Sequence, residues 1–150
     1  ELAWQEQQLG RSTQALSRAR EAEAILSVAI ERQPQPTGRR AWQLAEMKGR
    51  LGGARFVALV ADGTIQGPAR LSEFAKVETL MLESDAQLRD DPIAHANFKR
   101  DAIERLVRLY ETWSIAAPAA GKAESAATWK QRLASPGKAA APDLKQNEGK

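Results

Sequence analysis

Cysteine is absent from this chain of 150 residues, which excludes disulfide bonds and thiolate metal sites. Aromatic residues make up only 5%, and β-branched residues form no alternating run, so a β-sheet is disfavoured. The longest apolar run, residues 56–61, is too short to cross a bilayer, and no charged-then-apolar export signal opens the sequence. We therefore expect a cytoplasmic protein with no membrane partner.

A strong excess of one charge is also lacking, because 22 lysines and arginines face 19 aspartates and glutamates and the net charge is +3. Arg18, Arg20 and Arg32 are interspersed with Glu21 and Glu31. A nucleic-acid surface needs basic residues gathered on one face without carboxylates between them. The pattern indicates solvated helix faces and no nucleic-acid partner.

Helix-forming residues, by contrast, are abundant. Alanine, leucine, glutamine, arginine and glutamate recur throughout, and apolar residues make up 43%. Apolar side chains repeat at steps of three and four within residues 15–29, 74–88 and 103–110, which is typical of helices packed on one side. Clusters of proline, glycine and aspartate divide the chain at 34–38, 62–68, 90–92 and 114–121.

Two local predictions concern the ends of these segments. Asp91 is placed to cap the helix that follows, with Pro92 in its first turn. Residues 135–150 contain a single large apolar residue, Leu144, and cannot offset their ordering entropy, so we expect a disordered tail. The chain begins at Glu1 within a helical pattern, which suggests an excerpt of a longer protein.

A repeat pattern starts at Leu9-Gly10. It continues without a gap through a small residue, a large residue, a second small residue and a proline. These are Ala22, Leu26, Ala29 and Pro34. This pattern resembles the tetratricopeptide repeat (TPR), in which small residues let the two helices of a hairpin approach closely. Gly10, Ala22 and Ala29 would be those positions of close approach.

Two weaker copies of the pattern follow. Leu51-Gly52 would mark a second first helix, with residues 74–82 as its partner. The third copy would place Ile103, Leu106, Val107 and Tyr110 on one helix and residues 122–133 on its partner. On that partner helix, Ala126 takes the small position and Trp129 supplies apolar bulk. The lysines and Arg132 of the same helix are expected to point outward. Insertions at 62–70 and 114–120 stretch both copies.

The resemblance to TPR proteins covers residues 1–134 and implies an all-α fold. Antiparallel helix hairpins at about 1–34, 40–89 and 92–134 would stack as a short right-handed α-solenoid of about six helices. Residues 102–113, followed by 122–133, are similar to the C-terminal end of TPR arrays in bacterial proteins. Many of those arrays follow a serine/threonine kinase domain in the same polypeptide.

Ligands of TPR arrays lie along a concave groove formed by the first helix of each hairpin. When these groove positions are transferred to this sequence by aligning the repeats, the resemblance implies a candidate groove. Its residues are Gln7, Arg11, Gln14, Glu46, Gly53, Phe56, Glu104, Arg108 and Glu111. These mixed charges lack the cluster of lysines and arginines that would clamp a terminal carboxylate. The same positions are equally compatible with exposed polar residues that bind nothing.

No catalytic, metal or cofactor site is expected. The chain lacks a Gly-rich phosphate loop, a kinase catalytic loop and a DFG motif, and its single histidine, His95, cannot form a histidine metal cluster or an acid–base pair. Glu78, Glu83 and Asp85 are expected to face solvent.

Three hypotheses for function follow. The first is a non-catalytic scaffold module that binds a protein or peptide, with self-association left open. The second is the regulatory tail of a serine/threonine kinase whose catalytic domain lies upstream. The third and weakest is an independent helical enzyme.

Overall fold

Five α-helices run through the part of the chain that the computed structural model describes, which is residues 3, 5, 10–33 and 41–135. They are α1 (Ser12–Arg32), α2 (Ala41–Ala61), α3 (Gly67–Asp90), α4 (Ala96–Ala116) and α5 (Lys122–Ala134), with a short 3-10 helix at Pro118–Ala120. These residues contain no strand, which confirms the all-α prediction. None of the described helices is long and apolar enough to cross a membrane.

The helix count differs from the predicted number of about six. The additional helix would precede Gly10, where only residues 3 and 5 are described. The break at 34–38, the candidate groove residue Gln7 and the tail beyond Ser135 also lie outside the described residues.

Consecutive helices lie antiparallel. Lys48, in the first half of α2, pairs with Glu83 near the end of α3, whereas Phe56, further along α2, packs on Phe74 near the start of α3. Phe74 in turn stacks on Trp113 at the end of α4, with ring centroids 5.3 Å apart. These contacts make α2–α3 and α3–α4 antiparallel pairs, as expected of helices joined by short connections.

Two helices that are not consecutive, α2 and α4, run parallel. Trp42 at the start of α2 stacks on Phe98 at the start of α4, with centroids 5.1 Å apart. Further along both helices, Glu46 pairs with Arg105. The α2–α3 pair spans the range predicted for the second hairpin, and the α4–α5 pair that of the third.

Gly10 does not have the predicted role. It lies in a turn directly before α1, at φ +73°, and a Cβ added there would meet no atom of the described residues within 4 Å. Glycine suits this left-handed backbone because it has no Cβ. In α1 it is Ala15 and Ala19 that are wholly buried, whereas Ala22 is half-buried.

Gly52, the glycine of the second Leu-Gly pair, does lie between helices. A Cβ at this position would be 3.0 Å from Cγ of Met81 and 3.4 Å from Cβ of Leu80. A larger residue would therefore push α3 away from α2. Gly52 thus lies where α2 and α3, the helices predicted to pair in the second copy, approach each other closely.

The core lies mainly between α2, α3 and α4. The apolar stripe predicted for the third copy is buried throughout, and both tryptophans of the last two helices join it: Ile103, Leu106, Val107, Tyr110, Trp113 and Trp129. Burial of these large side chains is the main contribution to stability.

Three predicted helix boundaries were wrong. Gly67-Pro68 begins α3 instead of belonging to the preceding loop, because proline fits the first turn of a helix. Residues 114–116 belong to α4. The Asp91 carboxylate accepts hydrogen bonds from the amides of Ile93 and Ala94 at 2.7 and 3.1 Å, so it caps a turn, and α4 begins only after His95.

Candidate functional site

A groove of about 730 Å³ opens between α1, α2 and α4. We call it the α1–α2–α4 groove. It is lined by Ala3, Ala19, Ala22, Ile25, Leu26, Arg50, Gly53, Ala54, Phe56, Val57, Met81, Asp101, Glu104, Arg105 and Arg108.

The floor of the groove is apolar and built from small residues. Ala19, Ala54 and Val57 are buried there, and Gly53 leaves open space because it has no side chain. Ile25 stands on the α1 rim with 62% of its surface exposed. A concave apolar surface with a few polar groups at its edge is typical of sites that bind a ligand.

Charged residues form the opposite wall, where α2 meets α4. The Glu46 carboxylate accepts hydrogen bonds from Arg105 Nη2 at 2.9 Å and Nη1 at 3.3 Å, and from Arg50 Nε at 2.8 Å. Its side chain is only 6% exposed, whereas that of Arg50 is 56% exposed. Two guanidinium groups therefore share one buried carboxylate, which leaves a local excess of one positive charge.

Arg50 has hydrogen-bonding capacity to spare. Its Nε is used by Glu46, and its terminal nitrogens bond to none of the described residues. Guanidinium groups bind carboxylates strongly because two parallel N–H bonds can form at once. Arg50 can thus donate to an acidic group that enters the groove.

Further along α4, the wall carries both charges. Glu104 accepts a hydrogen bond from Arg100 at 3.0 Å and lies 3.9 Å from Arg108. Asp101 is half-buried beside them. The groove thus combines an apolar floor with a wall of mixed charge.

The structure brings together some of the predicted groove residues and not others. Gly53, Phe56, Glu104 and Arg108 line the groove, although Phe56 is only 2% exposed. Glu46 lies behind the wall and is buried by its arginine partners. The remaining described candidates lie elsewhere, since Arg11 and Gln14 are exposed at the start of α1 and Glu111 pairs with Lys130 at 2.6 Å.

Sequence reasoning missed Ile25, Arg50 and Arg105. Arg105 lies 59 positions from Glu46, and no local pattern announces an ion pair between residues so far apart. Arg50 could have been found, because Glu46 and Arg50 have the i, i+4 spacing that favours a pair on one helix.

A second cluster of polar groups lies where α3, α4 and α5 meet. The Tyr110 hydroxyl donates to Glu78 Oε1 at 2.7 Å, and Lys122 Nζ donates to the same oxygen at 2.8 Å. Lys122 also lies over the Trp113 ring, 4.2 Å from its centroid. Burial raises the pKa of Tyr110 well above its usual range, and the hydrogen bond to Glu78 raises it further.

Asp85 and Arg132 form a buried ion pair, although Asp85 was expected to face solvent and Arg132 to turn outward. Arg132 donates to both carboxylate oxygens at 3.0 and 3.1 Å, and the side chains are only 7% and 4% exposed. Those two predictions were wrong because the fold brings Arg132 of α5 within hydrogen-bonding distance of Asp85 on α3, and the periodicity of one helix does not reveal a partner on another.

A smaller cleft of about 400 Å³ lies between α1, α2 and α3, on the side of the Arg20–Asp62 ion pair. Hydrogen bonds from the hydroxyl and the amide of Thr64 hold the pKa of Asp62 below its usual range, with a further contribution from Arg20. These contacts stabilise the turn between α2 and α3.

Within the described residues, no group of three or more histidine, aspartate or glutamate side chains is placed to hold a metal ion. Comparison of the chain with family models, with curated proteins and with solved structures finds no match. Membership of the TPR family, a bacterial origin, a cytoplasmic location and attachment to a kinase therefore stay predictions.

Proposed function

We propose that this chain is a non-catalytic interaction module that binds a segment of a partner protein in the α1–α2–α4 groove. The observation that supports this proposal best is the combination of an exposed Ile25 on one rim with Arg50 and Arg105 on the other. The apolar floor suits apolar side chains of the bound segment. The terminal nitrogens of Arg50 suit a carboxylate beside them.

We also propose that the helices form the stacked hairpins of a TPR-like right-handed solenoid. The parallel course of α2 and α4 favours this arrangement, because the first helices of successive hairpins lie side by side in a stack. The close contact at Gly52 favours it too. The turn at Gly10 counts against a regular first repeat.

The groove proposal is tested by selecting binders from a phage-displayed library of random peptides and measuring their affinity by fluorescence polarisation. The key variant is Gly53→Leu, because Gly53 lines the groove and a Cβ added there meets, among the described residues, only Arg105 Cδ, at 3.6 Å. We expect selected peptides to bind this variant at least about tenfold more weakly.

The matched control is Ala127→Leu, which adds the same side chain at an exposed position of α5, away from the groove. It should leave peptide affinity unchanged. A library that yields no binder, or binders that hold equally well to Gly53→Leu, would reject the groove as the binding site.

A further inference from the structure

One flank of α1, beside the α1–α2–α4 groove, carries two large apolar side chains that stay exposed among the described residues. α1 packs mainly on α2, and on this flank Ile25 and Val28 are 62% and 44% exposed. Glu21 and Arg32, also exposed, flank them. Steps of four, three and four residues place these four side chains in one line along the helix, as in the seam of a coiled coil. We call this line the α1 stripe.

The α1 stripe is complementary to itself. Residues 25 and 28 lie equally far from its midpoint, and so do residues 21 and 32. If a second α1 lies antiparallel across it, a two-fold axis at that midpoint places Ile25 opposite Val28 of the second copy. The same axis places Glu21 opposite Arg32 of the second copy, and symmetry makes each contact twice.

The residues beside the stripe allow close approach. Ala24 and Ala29 lie on either side of the same midpoint, again at equal distances, and their small side chains let two helices pack tightly. The charges at the ends of the stripe are available as well. Neither Glu21 nor Arg32 forms an ion pair with any residue that the structure describes.

We propose that a second copy of this chain covers the α1 stripe, so that the protein forms an antiparallel α1–α1 dimer. Apolar contacts at the centre exclude water from Ile25 and Val28, and ion pairs at both ends set the direction and register of the two helices. A contact between single helices is small, so the dimer should dissociate on dilution. This interface shares Ile25 with the rim of the α1–α2–α4 groove, whereas Glu21, Val28 and Arg32 are not among the residues that line the groove.

Sedimentation equilibrium of the full chain tests the dimer over a wide range of concentrations. The wild-type chain should approach twice its mass of 16.4 kDa as concentration rises. In the Glu21→Arg variant, an arginine lies opposite Arg32 of the second copy at both ends of the interface, so the two positive charges repel. In the Arg32→Glu variant, two glutamates lie opposite each other in the same way. Each should weaken dimerisation at least about tenfold.

The double variant Glu21→Arg/Arg32→Glu restores opposite charges and should regain dimerisation to within about threefold of wild type. Ile115→Asp is the control, because Ile115 is 82% exposed but lies on α4, away from the stripe. Circular dichroism verifies that each variant keeps its helix content.

Three results would overturn the proposal. The wild-type chain could stay monomeric at every concentration, or the double variant could dimerise as weakly as the two single variants. The third result is an Ile115→Asp chain that also fails to dimerise. Gly53→Leu separates this proposal from the groove. It should dimerise like wild type whatever its effect on peptides.

Discussion

Gly49 and Gly53 lie about one helical turn apart on α2, yet a methyl group would meet different surroundings at each. At Gly49 an added Cβ would collide with the Ser84 hydroxyl and lie 2.8 Å from Arg105 Nη1. At Gly53 its nearest neighbour is Arg105 Cδ, at the ordinary contact distance of 3.6 Å. The first glycine is required by packing, whereas the second only leaves the groove open.

Alanine at these two positions should therefore have opposite effects. Gly53→Ala should raise the free energy of unfolding by about 0.5–1 kcal/mol, because alanine favours the helix. Gly49→Ala gains the same helix preference but overpacks the contact with Ser84, and we expect a net loss of about 1–2 kcal/mol. Urea denaturation followed by circular dichroism measures both, and equal effects would show that packing at Gly49 does not decide the outcome.

At the scale of helices, α5 is held in place by ion pairs as well as by apolar burial. It has 13 residues, a length at which an isolated helix is marginal in water. Lys122 holds its start through Glu78 and Arg132 holds its end through Asp85. Trp129, only 2% exposed, is the largest apolar side chain that α5 buries, and Ala126 and Leu133 pack on the same core. The two ion pairs tie α5 to α3 near both of its ends, while α5 packs mainly on α4.

Removal of one partner of the buried pair should release α5. Asp85→Ala leaves Arg132 buried without its bidentate carboxylate, so we expect a loss of about 3–5 kcal/mol. Hydrogen exchange should then be faster in α5 than in α2 or α3.

The matched variant is Asp85→Ala/Arg132→Met, which removes both charges and keeps a long apolar side chain. It should recover most of the lost stability, because the unpaired buried charge is gone. If the double variant is no more stable than Asp85→Ala, desolvation of Arg132 is not the cause of the loss.

At the scale of the whole molecule, Tyr110 is the only tyrosine and lies where three helices meet. It is 1% exposed and donates to Glu78. Its folded-state pKa is raised above the ordinary value of 10.0, so above that pH the unfolded chain loses a proton that the folded chain keeps. The stability that this group contributes is complete below pH 10 and falls as pH rises.

We therefore expect the wild-type chain to lose about 1.4 kcal/mol of stability per pH unit above pH 10 through this group. Tyr110→Phe lacks the proton, so the difference in stability between the two chains should narrow over the same range. At neutral pH the variant should be about 1–2 kcal/mol less stable, because the hydrogen bond to Glu78 is lost.

Urea denaturation of both chains between pH 8 and 11 measures this effect, and comparison with Tyr110→Phe cancels the titration of other groups. Tyrosinate absorbance of the wild-type chain should rise together with unfolding. A difference in stability that stays constant with pH would contradict the raised pKa.

Sequence reasoning found the apolar contacts of this fold better than the polar ones. The stripe from Ile103 to Tyr110 is buried as predicted, because a repeat of three and four residues fixes which side of a helix is apolar. Leu9-Gly10 and Leu51-Gly52 look alike in sequence, yet Gly10 lies in a turn and Gly52 lies between two helices. The pair alone does not indicate its surroundings.

The groove depended more on tertiary structure than the core did. Gly53, Glu104 and Arg108 were placed there by repeat register and do line it. Glu46 was also predicted to line the groove, but its two arginine partners bury it. Burial of a charged residue depends on the partners that surround it, and one of the two partners, Arg105, lies on another helix.

By itself the sequence determined the all-α class and the approximate limits of α2 to α5, since helix periodicity and helix breakers are local properties. Only the tertiary structure decided which charges pair, as in Glu46–Arg105 and Asp85–Arg132, and which face of α1 stays exposed. The physical reason is that an ion pair requires a separation of a few ångströms. That separation depends on how every intervening side chain packs between the helices.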